Sequence, residues 1–178
     1  MNNLKPSIFL LPIIALIIVV GLYYFLNRKP SQSKFFNQFT FIVVILAFLL
    51  NFTWEVLQMP LYKAGSYNIE SIAFCALASI ADSIMVLLLY YSFAVIYKDP
   101  IWVQGLTVQR IAPLILVGGI GAILAEIGYT SKGNWAYADT MPIIPVVNAG
   151  LSPVLQFMIL PVLIYRMSLK ILNKKKGR

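Results

Sequence analysis

The sequence predicts an all-α membrane bundle of five transmembrane helices. Three observations lead there. Of the 178 residues 60% are hydrophobic and only 11% charged, with a mean hydropathy of +0.84, whereas soluble domains carry about 25% charged residues. Five apolar runs are each long enough to cross a hydrocarbon core of roughly 30 Å at about 1.5 Å per residue. No polar stretch is long enough to fold separately, so residues 1–178 read as a single membrane domain.

The runs are Ser7–Leu26, Phe39–Leu61, Ser71–Tyr97, Ile111–Thr130 and Ile143–Tyr165, followed by a basic tail over 166–178. The first exceeds a typical signal-peptide core, lacks a small-residue cleavage pattern and meets Arg28-Lys29 at once, so a retained span is the better reading. It has no polar face and is expected to pack peripherally. The third is long enough to tilt or project. The fifth contains Pro145, Pro153 and Pro161 and is expected to be kinked.

Lys and Arg number one before the first span, then three, one, two and one in successive loops, and six from Arg166 onward. Alternate sides thus carry 3 and 11 of the 14, which predicts an outside N-terminus and a cytoplasmic C-terminus. The net charge of +8 therefore reads as topology signals and contacts to membrane lipids, with no nucleic-acid partner. Tyr23, Tyr24, Tyr62, Tyr67, Tyr97, Trp102, Trp135 and Tyr165 fall near span ends, where interfacial anchoring is the simpler role for most.

Histidine is absent and Cys75 is the only cysteine, which removes the commonest metal and haem ligand and any intramolecular disulfide. Neither a Gly-rich phosphate loop nor a closely spaced acidic Mg²⁺ motif is present. No metal and no cofactor are expected.

Glu55, Asp82 and Glu126 lie in three different spans, none of which contains Lys or Arg. Such an acid at a helix centre costs about 2.5–3.5 kcal/mol on insertion scales, so a functional site is the default reading. Helical spacing gathers Asn51, Trp54, Glu55 and Gln58 on one face of the second span. It aligns Cys75, Ser79 and Asp82 in the third, Gly118, Ala122 and Glu126 in the fourth, and Asn148, Ser152 and Gln156 in the fifth. With the predicted topology, all these groups belong to the outer half of the membrane, Asp82 deepest. Asn, Ser and Gln also serve as interhelical glue worth about 0.6 kcal/mol each, and Gly118, Gly119 and Gly121 read first as packing positions. Asp82 resists that reading, because glue needs no ionisable group. Glu55 and Glu126 lie near enough to the interface to reach water, and both readings stay open. The sequon Asn51-Phe52-Thr53 lies inside a span and is set aside.

Asn51-Phe-Thr-Trp54-Glu55, Gln58-Met-Pro60-Leu-Tyr62, Asp82, Glu126, Trp135-Ala-Tyr137, Met141-Pro142 and Gly150-Leu-Ser152-Pro153-Val-Leu-Gln156, in that order over about residues 45–165, resemble a widespread family of small bacterial membrane proteins. That resemblance attaches no activity. Asn51, Trp54 and Glu55 alone also resemble the Asn-x-x-Trp-Glu motif of the integral-membrane terpene cyclases of fungal meroterpenoid pathways. There the Glu belongs to an acid pair that protonates an epoxide or alkene. Those cyclases have about seven spans against five here, and Asp82 and Glu126 both remain open as counterparts of the second acid.

The expected function is therefore an acidic intramembrane pocket for a hydrophobic or amphipathic small molecule in the bacterial inner membrane. As an enzyme it would perform metal-free acid catalysis on an isoprenoid or lipid-like substrate. Glu55 or Asp82 would donate the proton, Glu126 would assist or accept, and Trp54 and Trp135 would stabilise positive charge. Trp135, Tyr137, Asn148, Ser152 and Gln156 join Asn51, Trp54 and Gln58 as expected substrate contacts. The alternatives are proton- or cation-coupled binding and transport, for which a homodimer would supply the missing second half, or an accessory subunit of a larger assembly.

Overall fold

The computed structural model describes residues 6–28, 33–63 and 65–176. Lys5, Lys29 and Arg178, which enter the charge count, lie outside the described residues. Among the described residues the chain is all-α apart from a two-residue antiparallel ladder. A 3₁₀ turn at Pro6–Phe9 leads into α1 (Leu10–Leu26), followed by α2 (Ser33–Gln58) and α3 (Ile69–Ile96). After α4 (Val108–Ser131), β1 (Ile143–Ile144) and β2 (Ala149–Gly150) precede α5 (Leu151–Lys176). Four of these helices, α2 to α5, are long and apolar enough to cross a membrane, and α1 is a shorter apolar helix. The chain is thus a membrane protein.

Local chemistry sets the boundaries. Asn68 caps α3, its side-chain oxygen accepting the Ser71 N–H at 2.8 Å, with Glu70 in the first turn against the helix dipole. The 28 residues of α3 extend about 42 Å, beyond a bilayer core. Helix α5 begins at Leu151, so Pro153 falls in its first turn, where a missing N–H costs little. Pro161 alone lies inside it.

The expected fifth span is corrected at its start. Residues 143–150 form a hairpin, Ile143 opposite Gly150 and Ile144 opposite Ala149, rather than helix. Pro142 and Pro145 bias the residues before them to extended backbone, and Val146 and Asn148 adopt φ of +73° and +53°, which no helix accommodates. At the other end α5 runs on to Lys176, so the basic segment from Arg166 continues the helix.

The principal contacts are α2 with α3 and α5, α4 with α5, and α1 with α3. As its lack of a polar face suggests, α1 stays peripheral and leaves Ile13, Ile17 and Phe25 exposed. Contacts between α3 and α4 are sparse, which leaves a slot between them. Gly118 and Gly119 bring α4 against α5: a Cβ on Gly118 would lie 2.3 Å from the Phe157 carbonyl oxygen. Gly121 has open space around it.

The main core is aromatic and lies toward the end of the bundle away from the acids. It joins Phe36, Phe39, Tyr90, Tyr91, Trp102 and Tyr165. Trp102 and Tyr165 are fully buried, with Trp102 Nε1 donating to the Tyr90 carbonyl at 3.1 Å and Tyr165 OH to the Val86 carbonyl at 2.6 Å. Both polar tips thus find partners inside the protein, which replaces interfacial anchoring for these two. Tyr24 and Tyr67 are exposed, as interfacial anchoring would require.

Candidate functional site

The polar faces of α2, α3 and α5 meet in one hydrogen-bonded layer. Gln156 of α5, 1% exposed, is its hub. Its Nε2 donates to Asn51 Oδ1 at 2.9 Å and Asp82 Oδ2 at 3.0 Å, while its Oε1 accepts from Gln58 Nε2 at 3.2 Å. Gln58 also donates to Glu55 Oε1 at 2.8 Å, and its own Oε1 accepts from Ser152 Oγ at 2.8 Å. Asn51 returns Nδ2 to the Ala47 carbonyl at 2.8 Å. The carboxyls of Glu55 and Asp82 lie beside each other and interact directly. The i, i+4, i+7 spacing of Asn51, Glu55 and Gln58, and the i, i+4 spacing of Ser152 and Gln156, are the local reason these groups converge.

Glu126 sits apart from that layer; among the described residues no hydrogen bond joins it to Glu55 or Asp82. Its Oε2 accepts Trp135 Nε1 at 3.2 Å and the Tyr137 hydroxyl in a short hydrogen bond. Both donors come from the α4–α5 connection, which is held over this end of the bundle by the α2–α3 connection. Tyr62 and Tyr137 form a backbone bridge, Lys63 N–H donates to the Ala136 carbonyl at 3.0 Å, and Ala138 N–H to the Leu61 carbonyl at 2.9 Å. Burial of the Tyr137 hydroxyl, its bond to Glu126 and that residue's charge hold its pKa well above the ordinary phenol value, so it remains a donor.

Asp82 and Glu126 are brought together by a cavity of about 250 Å³ between α3, α4 and the N-terminal end of α1. Apart from these two carboxyls and the Tyr129 and Trp135 rings, the wall is apolar, with bulky side chains such as Phe74, Leu77 and Phe157 and small residues such as Ala78, Ala81, Gly121 and Ala125. Glu55 stands behind Asp82 and does not line the cavity. Trp54 is also off the wall: it packs on the main core and its buried indole N–H has no partner among the described residues. Asn148 is exposed in the hairpin turn, away from the Gln156 layer. Ser79 is turned back onto its own helix, donating to the Cys75 carbonyl at 2.6 Å. Among the described residues, no three His, Cys, Asp or Glu side chains are grouped to hold a metal ion.

Two contributors to the site were not foreseen in the sequence. Tyr129 lines the cavity, and its ring packs on Trp135 with centroids 4.7 Å apart. The 3₁₀ turn and the start of α1 supply a wall through Ile8, Phe9, Leu11 and Pro12. Tyr129 had a signal, since it lies one turn beyond Glu126 at i+3; the α1 segment is apolar throughout and had none. No protein-family model matches the chain, and no curated protein or solved structure shows a significant likeness to it.

Proposed function

We propose that this chain is a multi-pass protein of the bacterial inner membrane, with its N-terminus outside and its basic C-terminus cytoplasmic. On this reading its acidic pocket, in the outer half of the bilayer, performs metal-free acid catalysis on an isoprenoid or lipid-like substrate. Five spans are favoured because the 3₁₀ turn Pro6–Phe9 adds about 8 Å to the roughly 25 Å of α1, enough together to cross the core.

The observation that carries the reading is the contact of Glu55 with Asp82 beside an apolar cavity. Two touching carboxyls in a low-dielectric site repel if both are ionised, and a single proton between them removes that repulsion. Asp82 is the member of the pair that lines the cavity, and the amide of Gln156 fixes its orientation. It would protonate an alkene or epoxide, leaving a carbocation in the cavity. The π faces of Trp135 and Tyr129 would stabilise that charge. Glu126, oriented by Tyr137 and Trp135, would take a proton from the neighbouring carbon. The net reaction is an isomerisation or cyclisation, with the proton returning to Asp82 through solvent. The separation of Glu126 from the pair favours a donor–acceptor arrangement over a cation site.

The test is incubation of the full chain in nanodiscs with bacterial membrane lipid extract in deuterium oxide. An isoprenoid product carrying a non-exchangeable deuterium is expected with wild type and lost in Asp82→Asn. Acid-dependent proton flux into liposomes, with no deuterated product, would replace catalysis by the transport reading.

A further inference from the structure

The cavity has a mouth, a charge and a size, and these restrict what enters it. Leu77, Ile80 and Val117 line it and are also 39%, 50% and 49% exposed, so the mouth opens through the apolar side of the bundle between α3 and α4. Among the described residues, Asp82 and Glu126 are the only charged groups on its wall, and no Lys or Arg lines it. A volume of about 250 Å³ lies just below the roughly 300–1,000 Å³ of ordinary small-molecule pockets and is too small for a two-chain lipid.

One contact closes the mouth from the N-terminal side. Pro12 has no N–H, so the carbonyl of Ile8, four residues earlier, is left without its helical donor. The Tyr129 hydroxyl takes that place at 3.3 Å, a long bond and so a weak latch. It holds the segment Pro6–Pro12 against α4 across the cavity.

We propose that the cavity is loaded sideways from the bilayer with a single-chain lipid whose head carries no negative charge, such as an alcohol or epoxide, and that the Ile8–Tyr129 contact is the strap that closes it. This deepens the acid-catalysis reading and rests on it for the identity of the site. A phosphate or carboxylate head would face two acids with no cation among the described wall residues to offset it, which disfavours prenyl phosphates and free fatty acids as ligands. Gly121, which has no neighbour for a Cβ, leaves the slot open at mid-height of α4.

The experiment uses the full chain in phosphatidylcholine nanodiscs and two photoreactive probes. One is a long-chain alkyl alcohol with a diazirine in its chain, the other the matching alkyl phosphate. Labelling of the peptides that carry Phe74, Val117 and Phe157 is read by mass spectrometry. The alcohol is expected to label about tenfold more than the phosphate, the factor that one charge conflict of modest size commands. Gly121→Leu should fill the slot and remove most of the labelling. Ala125→Leu, at a second lining position, does the same should the first variant fold poorly, and Gly128→Leu, also in open space but off the cavity wall, should leave labelling unchanged. Tyr129→Phe, which removes only the latch hydroxyl, should raise the labelling rate about two- to fivefold. Equal labelling by both probes, or labelling that survives both leucine variants, would overturn the ligand assignment. An unchanged rate in Tyr129→Phe would overturn the strap. Because labelling reads occupancy and not turnover, its success beside a failed deuterium experiment would leave this inference standing and remove acid catalysis; the reverse pattern would do the opposite.

Discussion

Gly150 is what lets Tyr137 reach Glu126: a Cβ at position 150 would sit 2.9 Å from Tyr137 Cε1 and 3.1 Å from Cζ. The ring cannot easily retreat, because the backbone of Tyr137 is bridged to Tyr62 and its hydroxyl is bound to the carboxylate. Gly150→Ala should therefore reproduce Tyr137→Phe, with added overpacking of about 1–3 kcal/mol. Thermal unfolding in nanodiscs, together with deuterium incorporation, checks the pairing. A Gly150→Ala protein with wild-type stability and turnover would show that Tyr137 has room the structure does not give it.

Gln156 distinguishes a cooperative polar layer from isolated interhelical bonds by magnitude. An isolated interhelical hydrogen bond in a membrane bundle contributes about 0.6 kcal/mol. Gln156→Leu removes three bonds at once and leaves Asn51, Gln58 and Asp82 short of partners in a buried layer. The expected loss is about 2 kcal/mol or more. Gln156→Glu should instead retain most of the stability if the new acid is protonated. Reversible unfolding in bicelles measures both, and a loss near 0.6 kcal/mol for Gln156→Leu would reduce the hub to one effective bond.

Much of this layer was legible in the sequence because helical periodicity is local. Asn51, Glu55 and Gln58 share a face at fixed spacing, as do Ser152 and Gln156, and a buried acid such as Asp82 has to find polar company. The hairpin at 143–150 was not legible as such. Its residues are apolar, so hydropathy runs straight through it, and Pro145, expected as a kink within the fifth span, instead lies in the hairpin that precedes the helix. Trp135 and Tyr137 are expected from the sequence as substrate contacts, and nothing in it marks them as the two donors to Glu126. That arrangement depends on Leu61–Lys63 pairing with Ala136–Ala138, a non-local contact with no periodic signature. The burial of Trp102 and Tyr165 was hidden for a related reason: a span-end position suits an interfacial aromatic and a buried one equally until the neighbours are known.

Two glycines three residues apart on α4 should respond in opposite ways. At Gly118 a Cβ meets the Phe157 carbonyl oxygen at 2.3 Å, a backbone atom that moves only if α4 and α5 separate. Gly118→Ala should cost about 1–3 kcal/mol. Gly121→Ala meets nothing and replaces a poor helix former by the best one, so no loss of stability is expected. Unfolding of the two variants side by side tests the helix contact independently of any ligand.

Stability should decline at alkaline pH partly through Tyr137. Burial, the bond to Glu126 and the charge of Glu126 raise its pKa in the folded protein above the ordinary value near 10. A group that binds its proton more tightly when folded contributes its full stability below the unfolded pKa and loses it as pH climbs toward the folded one. The decline should begin near pH 10, and Tyr137→Phe, less stable at neutral pH, should show a shallower alkaline limb. Parallel limbs in the two proteins would mean that the hydroxyl ionises without hindrance.

The orientation in the membrane follows from which charges share an end. The α2–α3 and α4–α5 connections, bridged at Tyr62 and Tyr137, carry Lys63 and Lys132 between them. Toward the opposite end Arg28 and Lys98 line one groove, and the last turns of α5 carry Lys170, Lys174, Lys175 and Lys176. Because the fold fixes these groupings, the positive-inside rule decides a single question, and the more basic end should be cytoplasmic. A reporter active only in the cytoplasm and fused after Arg178 should be active, and one fused within the 131–142 connection should be silent. Inverting that pattern should require moving charge, not structure. Neutralising Lys174, Lys175 and Lys176 while adding Lys residues beside Lys132 should produce a mixed population before it alters the helices. A reporter that stays fully cytoplasmic under that change would mean that the remaining charges, Arg28 and Lys98 among them, set the orientation without the α5 terminus.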